Sequence, residues 1–293
     1  MLAAPGCSGS DTKTAEPPEG DPAGVADSYT ALSAGRVSEL PDLIRTLDES
    51  LERDPDDGRA NLYAATMRFW RIAENGPGVG SFQDEARAVL DHFDGAYEGL
   101  PDDARIPAFS GLAHTFLGGL LGDTARADRG RMLLQEGVDR MPTYGHFLRA
   151  LSTGSLPASD PAYSTTLDHM YADAEACEWE SDGAGGYVYP DEPLAYPYQV
   201  CNNHGIVPHV WEGFFTAFGD FALKGGLGAE KARALYSSAK GSPTYDSWPY
   251  ADELQKRIDG AEGVAALYAD DDATKDPGVW TLSGHICTGC HQR

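Results

Sequence analysis

The stretch LPDLIRTLDESLERDPDDGRANLYAATMRFWR, residues 40–71, reads as two helices and the turn between them. Leu40, Leu43, Ile44, Leu47 and Leu51 recur at helical spacing, which puts them on one face of an amphipathic helix. Asp54-Pro55 stops that helix, because proline disfavours helical backbone in the residue before it. Ala60, Tyr63, Ala64, Met67 and Trp70-Arg71 then continue at the same period. The pair predicts an αα-hairpin.

The pattern recurs along the chain. Arg53-Asp54-Pro55-Asp56-Asp57-Gly58-Arg59 is echoed by Gly99-Leu100-Pro101-Asp102-Asp103-Ala104-Arg105, and Met141-Pro142-Thr143-Tyr144 by Ser242-Pro243-Thr244-Tyr245. In each case a helical run meets a proline turn and a further helical pattern follows. Such self-similarity points to stacked helical units. The unit resembles the tetratricopeptide repeat, most closely over residues 211–250. Phe215, Phe218 and Gly219 match the large, large and small positions of its first helix. Ala232, Tyr236 and Ala239 match the small, aromatic and small positions of the second, and Pro243 ends it. The resemblance implies an all-α fold of tetratricopeptide-like hairpins forming an α-α superhelix over residues 25–269. Gly219 is expected where two helices approach closely. The spacing of the echoes is irregular, so the array must contain an insertion.

That insertion spans about residues 152–208. Its Gly183-Ala184-Gly185-Gly186 run and repeated Tyr-Pro steps argue against regular helix. Tyr187, Tyr189, Tyr196 and Tyr198 alternate through it. A long loop of this kind is either functional or a surface flap whose tyrosines pack on the helices.

Composition limits the partners. Hydrophobic residues make up 41% of 293, enough for a substantial core, and no run is long enough for a membrane-spanning helix. The formal net charge of −24 would repel nucleic-acid phosphate. It suits a basic protein partner, and equally simple solubility.

The chemistry is concentrated in the final residues, His285-Ile286-Cys287-Thr288-Gly289-Cys290-His291. Cys-x-x-Cys-His is the spacing of a c-type haem attachment site. Two intervening residues let both sulfurs reach the porphyrin vinyl groups, and the next histidine supplies the proximal iron ligand. The segment resembles that of c-type cytochromes, which implies one covalent haem c on Cys287 and Cys290, with His291 on the iron. A zinc knuckle or redox dithiol is the other reading. Zinc sites usually pair two such motifs, and a thioredoxin-like dithiol needs a βαβ context. Neither is visible here.

The motif stands at the chain end, unlike that of a small class I cytochrome and more like that of cytochrome c prime. A second axial ligand is therefore expected from earlier in the chain or from another molecule. His209 and His204 rank first, ahead of Met170 and His169. His285 sits on the attachment loop, from which the far face of its own haem is hard to reach, and could serve a neighbouring copy in a homo-oligomer.

Of the other cysteines, Cys177 and Cys201 share one aromatic, turn-rich region, and a disulfide between them is the simple reading for an exported protein. The alternative is two separate buried thiols. Cys7 follows Leu2-Ala3-Ala4-Pro5-Gly6 and precedes a Pro-, Glu- and Gly-rich tract. This resembles the lipidation region of a bacterial lipoprotein, with residues 1–24 as signal remnant and tether. The basic and apolar parts of a signal peptide are missing, so a truncated export signal is expected. Asp270-Asp271-Asp272 opens the haem-bearing segment, 270–293, as a solvated linker.

Together these features predict a monohaem cytochrome in extracytoplasmic electron transfer, periplasmic or at the cell surface. It would be lipid-anchored, and its repeats would dock a redox partner protein. The alternatives are a non-redox scaffold for protein binding and, last, a haem peroxidase, for which no distal acid–base group is visible.

Overall fold

The computed structural model describes residues 22–75, 80–154, 156–190, 210–270, 275, 277–279 and 291. Within them the protein is all-α. Eleven α-helices follow one another: α1 (Val25–Ser33), α2 (Leu40–Arg53), α3 (Gly58–Ala73), α4 (Phe82–Gly99), α5 (Ile106–Leu121), α6 (Thr124–Arg140), α7 (Pro142–Gly154), α8 (Ser164–Ala176), α9 (Trp211–Lys224), α10 (Gly228–Ala239) and α11 (Ala251–Tyr268). Three short 3-10 turns join them. The described residues contain no strand, only an isolated antiparallel bridge between Ser181 and Tyr187.

Helix α2 forms as its periodicity predicts, burying Leu40, Leu43, Ile44, Leu47 and Leu51. Asp57 caps α3 by accepting from the backbone N–H groups of Arg59 and Ala60, both at 2.9 Å. At the echoed turn Asp103 accepts from the Arg105 N–H at 3.1 Å, within the turn that precedes α5 and without capping that helix. The two echoed turns also touch. A Cβ on Gly99 would lie 2.6 Å from the Gly58 Cα, so only glycine lets these backbones meet. The second echo diverges. Pro142 opens α7, whereas Pro243 leads into a 3-10 turn over Tyr245–Ser247.

From α2 onward each helix packs mainly on a chain neighbour, and the most extensive pairs are α3 with α4, α5 with α6, α7 with α8, and α9 with α10; α1 packs mainly on α3. The hairpin read across residues 40–71 is present, since α2 packs mainly on α3, while α3 packs more extensively still on α4. The α5–α6 pair meets backbone to backbone. Gly111 and Gly118 on α5, and Gly130 and Gly137 on α6, each leave no room for a Cβ against the facing helix.

Two apolar clusters result. One gathers α1 to α5 around Trp70, Phe93 and Leu90. The other gathers α5 to α11 around α9, and Phe109 packs against both. Every residue of α9 from Trp211 to Leu223 is buried, which makes it the central helix of the second cluster. Its polar residues Glu212, Thr216 and Asp220 recur one turn apart and are each partnered. Glu212 accepts from Thr244 at 2.7 Å, and Thr216 donates to the Glu212 carbonyl. Asp220 accepts from the Tyr236 hydroxyl and pairs with Arg257 at 3.2 Å.

The span read as an irregular insertion is partly helical. Helix α8 runs through it, because residues 164–176 lack glycine and proline and place Thr166, Met170, Asp173 and Ala174 on one buried face. Beyond α8 the chain turns through Gly183 and Gly185, both in the left-handed region.

Candidate functional site

The terminal motif is described only at His291, which has helical backbone and is half-buried. Cys287 and Cys290 lie outside the described residues, as do Cys7, Cys201, His204, His209 and His285. The donor set itself, two thiols and an adjacent imidazole, has the chemistry that covalent haem needs. No group of three or more metal-ligating side chains occurs among the described residues.

Of the second-ligand candidates, two are described. Met170 is fully buried in the second cluster, with its thioether committed to packing. His169 is half-buried and faces His146 across the α7–α8 interface, with their Nδ1 atoms 2.8 Å apart. At that distance one ring donates its N–H to the other, and the pair is neutral. Burial pushes His169 down to about 4, helped by His146 and the Arg149 guanidinium and opposed by Asp168. His146 is lowered by burial and then by Arg149.

One turn further along α8 lies Asp173, wholly buried, with Oδ1 lacking any hydrogen-bond partner. Burial drives its carboxyl well above the usual carboxylate range, against the pull of the Phe147 backbone N–H. A further turn along is Cys177, the C-terminal cap of α8, which is disulfide-bonded. Cys201, the partner expected for Cys177, lies outside the described residues. Asp173 Oδ2 lies 3.9 Å from the Cys177 sulfur.

The chain after Cys177 lays aromatic rings over α9. Trp179 packs edge-on to Trp211 and Phe214, each at 5.1 Å between centroids. Tyr187 contacts Phe215 and Phe218, and Tyr189 meets Trp211 at 5.1 Å. Two of the four alternating tyrosines thus pack on the helices; Tyr196 and Tyr198 lie outside the described residues. The Tyr187 N–H donates to Ser238 Oγ at 2.7 Å, fixing this segment to α10. A cavity of about 280 Å³ opens beside it, lined by Cys177, Trp179, Tyr189 and their neighbours.

Sequence reasoning missed Asp173, His146 and Trp179. His146 and Trp179 find their partners on other elements, and Asp173 is buried by the helices packed on α8, so no local spacing signals them.

No helix among the described residues is long and apolar enough to cross a membrane. Comparison with protein-family models, with curated proteins and with solved structures finds no match.

Proposed function

We propose that this chain is a monohaem c-type cytochrome on a tetratricopeptide-like helical superhelix, working in extracytoplasmic electron transfer. The Cys287-x-x-Cys290-His291 spacing carries the reading. Cys287 and Cys290 would hold the haem and His291 its iron, and the bound group would supply one-electron redox chemistry. The disulfide at Cys177 supports an oxidising compartment, where such bonds persist. Lipidation at Cys7 would anchor the protein to a membrane surface.

The repeat reading draws support from three features. Helices pair in sequence, the proline turns that echo one another at Gly58 and Gly99 touch, and Gly219 packs against Tyr236. The helices would offer a docking face to a redox partner, and the net charge of −24 favours a basic one. No enzymatic activity is proposed.

A pyridine haemochrome spectrum with an intact-mass measurement on exported protein tests this. The expected result is one covalent haem, lost in the Cys287→Ser, Cys290→Ser double variant. A mass without haem sinks the proposal. The same mass reports lipidation at Cys7.

A second reading is a non-redox scaffold that binds a protein partner. It is favoured by the size of the helical body, which carries two extensive apolar clusters. Partner capture that survives loss of the two cysteines, with no haem in the parent protein, would select it.

A further inference from the structure

Histidines on the helices find different kinds of partner. His92 faces Asn61 Oδ1 at 2.9 Å, and His114 faces Asp94 Oδ1 at 3.0 Å. His146 on α7 and His169 on α8 instead face each other nitrogen to nitrogen, with Nδ1 atoms 2.8 Å apart and ring planes at 38°. Only one of those nitrogens can carry the proton of the contact, so the other presents a lone pair. A cation seated beside the two nitrogens could take a lone pair from each.

The separation selects a coordination geometry. With metal–nitrogen bonds of about 2.0–2.1 Å, two nitrogens at a tetrahedral angle stand roughly 3.3 Å apart, and at a right angle about 2.9 Å. The observed 2.8 Å is close to the spacing of neighbouring ligands at a right angle. Square-planar and tetragonal nitrogen sites suit Cu2+ and Ni2+, and Cu2+ heads the affinity order of the divalent ions. The two rings are positioned by their neighbours in the chain. Phe147, beside His146, packs on Phe214 at 4.9 Å, and Met170, beside His169, is buried in the same cluster. The Thr166 hydroxyl donates to Thr153 Oγ1 at 2.8 Å and ties α8 to α7. Both rings are half-buried, so part of each stays open to solvent. Asp168 favours a cation here and the Arg149 guanidinium opposes one, although Arg149 also donates to Gln135 Oε1 at 3.0 Å. The net charge of −24 draws cations to the surface as a whole.

We propose that His146 Nδ1 and His169 Nδ1 form a two-point chelate for Cu2+, with water in the remaining positions. On binding, the ring that donated its Nδ1 proton moves that proton to Nε2. Both Nδ1 lone pairs then meet the ion, and no proton is gained or lost by the pair. The site stands apart from the haem reading, because neither histidine lies in the terminal motif.

The test is titration of the full-length protein with Cu2+ alone, followed by calorimetry and electron paramagnetic resonance. Parent and His169→Gln are compared in the full chain, so copper held by donors elsewhere is common to both. The parent should bind one Cu2+ at least about tenfold more tightly than the variant, since the variant loses one of two linked ligands. Its spectrum should show a tetragonal site coupled to two nitrogens, and His146→Gln should lose the same signal. Zn2+ at equal concentration should leave that spectrum in place, and displacement of the copper by zinc overturns the assignment. Identical titrations and spectra for the parent and both variants overturn the proposal as a whole. Should the variants lose their helical circular dichroism, the parent decides. Cu2+ must then protect His146 and His169 together from diethylpyrocarbonate, read by mass on their peptides, and labelling at the copper-free rate overturns the proposal.

Discussion

Gly219 on α9 faces the ring of Tyr236 on α10 so closely that an added Cβ would lie 2.8 Å from Cζ and nearer still to two other ring carbons. The ring cannot retreat, because Tyr236 is fully buried and its hydroxyl is held by Asp220. Gly219→Ala should therefore force α9 and α10 apart. Overpacking of this kind costs about 1–3 kcal/mol. A urea unfolding curve followed by circular dichroism should show the midpoint lowered and the slope unchanged.

The same ring leads into a charged network. Asp220 accepts from Tyr236 and from Arg257, and Arg257 also binds Glu253. Asp220 is 5% exposed, so its charge is tolerable only while Arg257 remains. Arg257→Met leaves that charge without its cation and should cost about 3–5 kcal/mol. Tyr236→Phe removes one donor and should cost less, about 1–3 kcal/mol. A double-mutant cycle between the two positions should show coupling, since both act on one carboxylate.

Gly219 and Tyr236 were legible because a repeat resemblance assigns them paired small and aromatic positions. The buried face of α2 was legible from period alone. Helix α8 was not, because the glycine and Tyr-Pro signals of residues 183–198 colour the reading of the helical stretch before them. The α5–α6 seam is written in the sequence as Gly111, Gly118, Gly130 and Gly137, yet glycine inside a helical run reads locally as a weakness. Its value appears only when a second backbone lies against it. The terminal motif is read from spacing, because its three donors are neighbours in sequence. The His146–His169 pair and the Asp173–Cys177 contact on α8 show the limit: a histidine partner from another helix, or an unpaired burial, leaves no periodic trace.

The histidine pair sets a pH dependence whose sign follows from its depressed titration. In the unfolded chain His169 gains its proton near 6.5, whereas in the fold it does so only near 4. Between those values the unfolded state binds more protons, so stability falls as pH drops from about 6.5 to about 4 and levels off below. His169→Gln should flatten this part of the profile. Thermal melts in steps across that window, with and without the substitution, provide the comparison.

Asp173 contributes with the opposite sign. Its carboxyl is raised above 3.8, so the unfolded state ionises first as pH rises. Stability from this group is present at low pH and is lost as pH climbs from about 3.8 towards the folded-state value. Asn resembles the protonated carboxyl in shape and carries no charge. Asp173→Asn should therefore stabilise the protein at neutral pH, seen as a higher melting temperature, and leave the histidine slope exposed. A lower melting temperature at pH 7 would mean that the carboxylate itself is stabilising.

The helical body and the terminal motif should separate in their response to loss of the cysteines. The chain leaving α11 is tied back to the body, since the Tyr268 hydroxyl donates to the Pro277 carbonyl at 2.7 Å and Val279 is 2% exposed in the second cluster. These anchors precede Cys287 and Cys290 and use neither sulfur. The Cys287→Ser, Cys290→Ser double variant should thus keep its helical circular dichroism and a cooperative melt, whatever it loses in haem. Val279→Asp should do the reverse in part. Burying an unpaired carboxylate costs several kcal/mol, so the segment would lift from α11 while the terminal sulfurs stay intact. Limited proteolysis should then cut between residues 270 and 285 faster than in the parent protein, and the double cysteine variant should resist there as the parent does.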